Sequence, residues 1–114
     1  MHELGIAESA LRVALERARK EGASRVVRMV VRVGSLSGVD PEALQFALNA
    51  IVPGTVAEGA AVQIDPVSAV AYCHDCDREF VPDTEHFFEC PACGRYCSTL
   101  RQGRELDLVS LELS

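Results

Sequence analysis

Two short cysteine pairs, Cys73-x2-Cys76 and Cys90-x2-Cys93, stand 13 residues apart in a 114-residue chain. The segment around them, residues 71–103, holds all five cysteines and two of the three histidines but few aliphatic side chains. A stretch of that size cannot offset its chain entropy by burial alone, so something else must organise it. In each pair the two-residue spacing lets a tight turn present both sulfurs to one ion while backbone N–H groups point at the thiolates. Two such turns complete a tetrahedron around zinc. The run Cys90-Pro91-Ala92-Cys93-Gly94 strengthens the reading, because Gly94 can take the positive φ such a turn often needs. Two redox dithiols are the competing reading, but similar pairs in one coreless segment favour a closed structural site. Four thiolates leave no open position for an activated water, so the expected zinc is structural.

Cys97 lies beyond this pattern and reads as a partly buried free thiol, with exchange against Cys93 as the alternative. His74 and His86 lie near the cluster. They read either as exposed loop histidines or as residues that tune the ligand shell.

The rest of the chain has the periodicities of a small α+β domain. Residues 4–21 place Leu4, Ala7, Leu11, Ala14, Leu15 and Ala18 on one helical face, and Gly22 ends the pattern. Residues 25–34 switch to a period of two, which predicts a half-solvated strand with Val27, Met29, Val31 and Val33 on one face and Val26, Arg28, Val30 and Arg32 on the other. Asp40-Pro41-Glu42 reads as an N-cap, a first-turn proline and a first-turn acid. The helix it opens turns Leu44, Ala47, Leu48 and Ile51 inward and stops at Pro53-Gly54. A second strand is expected at 61–70, where Pro66 requires an edge or a bulge. Strand, helix and strand in that order suggest a crossover with the two strands parallel. A third strand at 104–113 changes parity between Leu106/Leu108 and Val109/Leu111/Leu113, which a bulge near Leu108 reconciles. The predicted architecture is therefore a small three-stranded mixed sheet with two helices, formed by 1–70 and completed by 104–114, with a zinc-ribbon-like module inserted at 71–103.

Charge narrows the function classes. The formal net charge is −6, and residues 72–101 carry three Lys and Arg against six Asp and Glu. Nucleic-acid binding draws its affinity from neutralised phosphates, so this chain fits that role poorly. No run approaches the length of a membrane-spanning helix and no charged-then-apolar signal opens the sequence, which points to the cytoplasm. Thiols stay reduced there, which again favours metal over disulfides. No nucleophile and base pair, Gly-rich phosphate loop or open three-ligand zinc site is evident, so catalysis is not expected.

The chain opens Met1-His2-Glu3. A bulky second residue normally blocks removal of the initiator methionine, leaving Met1 to supply the α-amine. That amine, the deprotonated amide nitrogen of His2 and its imidazole can close adjacent five- and six-membered chelate rings on one ion. Three coplanar nitrogens suit Ni²⁺ or Cu²⁺, with the amide or carboxylate of Glu3 available as a fourth ligand. Such a site is exposed and exchangeable. Taken alone, a histidine at position 2 is usually an ordinary residue on a frayed end, and Asp40 reads as a helix cap rather than a ligand.

In combination these features are more specific. Met1-His2-Glu3 leads directly into a helix. Arg32-Val33-Gly34-Ser35-Leu36-Ser37-Gly38 precedes Pro41-Glu42-Ala43-Leu44, and Ala57-Glu58-Gly59-Ala60, the four-cysteine module and Gly103-Arg104-Glu105-Leu106 follow. The whole chain, in order, closely resembles the HypA/HybF family of nickel metallochaperones for [NiFe]-hydrogenase maturation. The resemblance implies a nickel-binding α/β domain formed from both ends of the chain, together with a zinc domain. It implies delivery of Ni²⁺ to the hydrogenase large-subunit precursor, in concert with the GTPase HypB. By motif match it places nickel on His2, with Met1 and Glu3 contributing, and structural zinc on Cys73, Cys76, Cys90 and Cys93. The rival reading is a zinc-ribbon adaptor that binds a protein partner and carries no transported metal. An adaptor would not require His2.

Overall fold

The structure is a computed structural model that describes residues 3–83 and 88–114. Met1, His2 and His86 lie outside the described residues, and with them most of the predicted nickel site.

Helix α1 (Glu3–Lys20) buries Ala7, Leu11, Ala14 and Ala18, and strand β1 (Val26–Gly34) follows. Three of those four buried positions are alanines, which let the helix sit close to its neighbours. Leu4, expected inside, is half exposed at the first turn. Helix α2 (Pro41–Ile51) starts as predicted: the Asp40 carboxylate accepts a hydrogen bond from Glu42 N–H at 3.0 Å, with Pro41 in the first turn. It buries Leu44, Ala47 and Leu48. Each leucine of this kind contributes about 1.5–3 kcal/mol on burial. Strand β2 (Ala61–Val67) then lies parallel to β1, and β6 (Leu106–Leu113) lies antiparallel on the other side, in the order β2-β1-β6. The main core sits between this mixed sheet and the two helices, around Met29, Val31, Val33, Leu44 and Leu48.

Pro66 occupies the edge strand, where its missing N–H costs no ladder bond. The parity change in the last strand is a bulge at Val109: Val30 pairs with Ser110 and Val31 with Leu108. Leu106, Leu108, Leu111 and Leu113 thereby all pack against core residues. A second irregularity corrects the reading of β1. Val26 pairs with Leu113 and Arg28 with Glu112, so Val27 is extra and the strand changes face there. Val26 is fully buried rather than solvated, and Val30 is buried as well.

The strand expected over 61–70 is two strands. Val67 ends β2, and β3 (Val70–Cys73) begins a separate sheet with β4 (Arg78–Phe80) and β5 (Thr99–Gln102), in the order β4-β3-β5. The sheets meet at a close backbone contact. Leu36 N–H donates to Gly103 O at 2.7 Å, Ser35 N–H to Val67 O at 2.8 Å, and Ala69 N–H to the Ser35 hydroxyl at 2.9 Å. A Cβ at Gly34 would lie 2.1 Å from Gly103 O, so only glycine fits.

Candidate metal centres

Both cysteine pairs sit on tight turns. Cys73 ends β3 and pairs with Arg78 of β4, so 74–77 is the hairpin turn that carries Cys76. In the second knuckle Gly94 N–H donates to Cys90 O at 2.8 Å and Cys90 N–H to Arg95 O at 2.9 Å. Glu89 and Tyr96 bridge just outside it. Gly94 has φ 74°, as its position requires. The residue in the corresponding place of the first knuckle is Asp77, with φ 51°. Aspartate is among the few residues that enter this region at modest cost. The Tyr72 hydroxyl donates to the Asp77 carboxylate and so holds it in place.

The four sulfurs converge. Cys73 and Cys93 are 3.7 Å apart, Cys76 and Cys90 are 3.9 Å apart, and all four lie within 4.8 Å of one another. A tetrahedron with metal–sulfur bonds of about 2.3 Å has edges of about 3.8 Å, so this donor set fits a zinc ion. Cys73 and Cys90 are buried, Cys76 is half-buried and Cys93 is exposed. A hydrogen bond from the Cys76 backbone N–H draws the Cys73 thiol down to about 6, whereas hydrogen bonding with Cys93 together with burial pushes Cys76 up to about 12. Without a cation the cluster therefore keeps protons on part of its sulfurs, and a divalent ion would replace them.

Cys97 is outside this group. Its thiol is buried beside Phe80 and Cys90, approaches Arg95 O at 3.5 Å, and is pushed up to about 11 by burial and by the nearby Cys73. His74 is also outside it, its Nε2 lying 2.9 Å from the Thr99 hydroxyl and its ring meeting Tyr72 edge-on. Sequence reasoning missed the surface cluster next to these groups. The Arg101 guanidinium stacks 4.1 Å from the Tyr72 ring centre and reaches Glu79 at 4.0 Å. Alternate positions on β3 and β5 are the signal that could have found it.

Of the proposed nickel ligands only Glu3 is described. It opens α1, and its carboxylate accepts a hydrogen bond from Asp40 N–H at 3.3 Å. The first turn of α1 is thereby tied to the cap of α2, with two carboxylates at one end of the mixed sheet's helical layer.

Residues 1–113 match the family described as hydrogenase/urease nickel incorporation, metallochaperone, hypA. The chain is 40% identical over 113 residues to hydrogenase maturation factor HypA of Picosynechococcus, covering 99% of both chains. It is 39% identical to the factor of the same name from Dechloromonas aromatica, again over 99% of both. Among solved structures it resembles the solution structure of the Ni metallochaperone HypA from Helicobacter pylori. The TM-score is 0.68 at 28% identity, over 99% of this chain and 97% of that one.

Proposed function

The chain belongs to the HypA family of hydrogenase maturation and nickel-incorporation metallochaperones, and from that premise we propose that it carries Ni²⁺ at its amino terminus to the [NiFe]-hydrogenase large-subunit precursor. The observation that carries this reading is the family match across 1–113 in a chain that opens Met1-His2-Glu3, with Glu3 the first residue of helix α1. In this reading the Met1 α-amine, the amide and imidazole of His2, and Glu3 bind the cargo. Residues 1–70 and 104–114 form the nickel-binding unit, and 71–103 forms a structural zinc unit held by Cys73, Cys76, Cys90 and Cys93.

The electrostatics suit loading and release. The N-terminus of a helix carries partial positive charge and disfavours a cation. The carboxylates of Glu3 and Asp40 at that end offset it. A site of this kind can hand its metal to a partner that supplies more ligands. Nucleotide hydrolysis would fall to a HypB-type GTPase, because this chain has no Gly-rich phosphate loop. The protein is read as a cytoplasmic carrier rather than an enzyme. Metal analysis before and after Ni²⁺ loading tests this, comparing wild type with His2→Ala. Nickel uptake lost in the variant with zinc retained is expected. Equal nickel uptake in both would favour the adaptor reading.

A further inference from the structure

The two edges of the mixed sheet are treated differently. On β2, Pro66 lacks an N–H and the Gln45 side chain donates to Val62 O at 3.1 Å, so that edge is blocked. On β6, the sequence Leu106–Leu113 contains no proline and no lysine, and among the described residues its only strand partner is β1. The Leu106 N–H is already bound to the Asp107 carboxylate at 3.1 Å, so pairing would start at Leu108.

A groove runs beside this free edge. Its walls are β6 and one flank of α1, where Gly5, Ser9 and Ala10 are too small to cover the strand. Val13, half exposed, and Leu108 line it where this apolar part meets a second part walled on α1 by Glu16, Arg17, Lys20 and Glu21, and Val109 is exposed beside that second part. All four leucines of β6 stay only partly buried, because two helices do not cover three strands. The opposite face of β6 carries two exposed acids, Asp107 and Glu112. On its inner side these acids lie opposite Arg32 and Arg28 of β1.

We propose that the free edge of β6 and the adjoining groove form a strand-addition site for an extended segment of a partner protein that alternates apolar residues with Lys or Arg. Strand β1 shows the pattern that fits: Met29, Val31 and Val33 face the helices, and Arg28 and Arg32 stand at the register positions opposite Glu112 and Asp107, with the Arg28 guanidinium hydrogen-bonded to Gln63 of β2. A strand on the other side of β6 meets the same leucines and the same carboxylates. Main-chain hydrogen bonds supply affinity, and the alternating side chains supply selectivity. A second copy of this chain fits less well. An antiparallel β6 pair centred between Val109 and Ser110 sets Asp107 opposite Glu112 of the other copy twice, and like charges directly opposite repel. The inference is independent of the metal reading, since it uses neither metal site.

The probe is a synthetic peptide with the β1 sequence, residues 26–34, titrated into isotope-labelled, zinc-loaded full-length protein. A second peptide replaces both of its arginines with glutamate. The expected result is amide shift changes concentrated at 106–113 and on the 5–17 flank of α1, with binding weakened at least about tenfold by Val13→Asp and by Glu112→Lys and lost with the glutamate peptide. Both substituted positions are exposed, and unchanged melting would confirm that the fold is kept. Shift changes elsewhere, equal affinity for the two peptides, or affinity unaffected by both variants would overturn the proposal. So would concentration-dependent self-association through the same amides without peptide, which would assign the edge to a second copy.

Discussion

The sulfurs of Cys73 and Cys93 lie 3.7 Å apart although the two residues are 20 positions apart in the chain. No hydrophobic core of ordinary size holds them there. The cluster around Ala71, Cys73, Phe80, Cys90 and Cys97 is small, and three of its five buried members are cysteines. A bound ion is therefore expected to supply much of the folding free energy of this half, as structural zinc does at about 10–16 kcal/mol in small zinc domains.

Cys76→Ala is expected to abolish amide-exchange protection across the second sheet, β3 to β5, while protection in β1 and α2 persists. The mixed sheet has its own core around Met29 and Leu44. Full protection across 71–103 in this variant would contradict a metal-organised module.

Cys97→Ser should leave bound zinc at about one equivalent, because its sulfur is outside the four-sulfur group. The variant should lose about 1–2 kcal/mol of stability, since a hydroxyl replaces a buried thiol. Metal analysis with chemical denaturation checks both. Zinc falling well below one equivalent would make Cys97 a ligand.

Asp77 stands where the second knuckle has Gly94. Asp77→Gly should therefore leave zinc affinity within about threefold of wild type, because glycine enters the left-handed region freely even though the Tyr72 contact is lost. Asp77→Val should weaken it by about tenfold or more, since a β-branched residue is strained there. Competition with a chromophoric chelator would measure this; indifference to valine would show that the turn does not control the site.

The parts of the fold that could be read in the sequence are those with a repeating signal long enough to count. Both helices and the capping role of Asp40 follow from apolar spacing and from Pro41, and the bulge near Leu108 follows from broken parity. Parity gives no such warning at Val27, because Val26 and Val27 are both valine and either can turn inward, so the alternation with Arg28 and Arg32 predicts the wrong face for Val26. Strands of three or four residues, such as β3 and β4, are too short to show a period, and the second sheet therefore emerged only from the structure. The four cysteines were legible because chelation demands a short spacing. Asp77 was not, because the usual mark of a positive φ is glycine. The contact of Glu3 with Asp40 crosses 37 positions and involves one backbone atom, and local patterns do not encode such a pairing.

The glycines at the sheet junction should be intolerant. Gly34→Ala sets a Cβ against Gly103 O and should cost about 3 kcal/mol, lowering the melting temperature by about 10 °C. Gly5→Ala meets no atom within 4 Å inside α1 and should raise it by a few degrees through helix propensity. Thermal unfolding of the pair separates crowding from a general sensitivity to substitution.

Transport of Ni²⁺ at the amino terminus through the Met1 amine and His2 is tested by calorimetric titration of Ni²⁺ into three proteins. These are the native chain, a chain with one residue added before Met1, and His2→Ala. An α-amine with a pKa of about 7.7–8.0 must lose its proton to bind, so native affinity should rise from about pH 6 to about pH 8. The extended chain and His2→Ala should both bind nickel at least about tenfold more weakly, with zinc content and melting unchanged. Equal nickel affinity in all three proteins would contradict the chelate and leave the adaptor reading in its place.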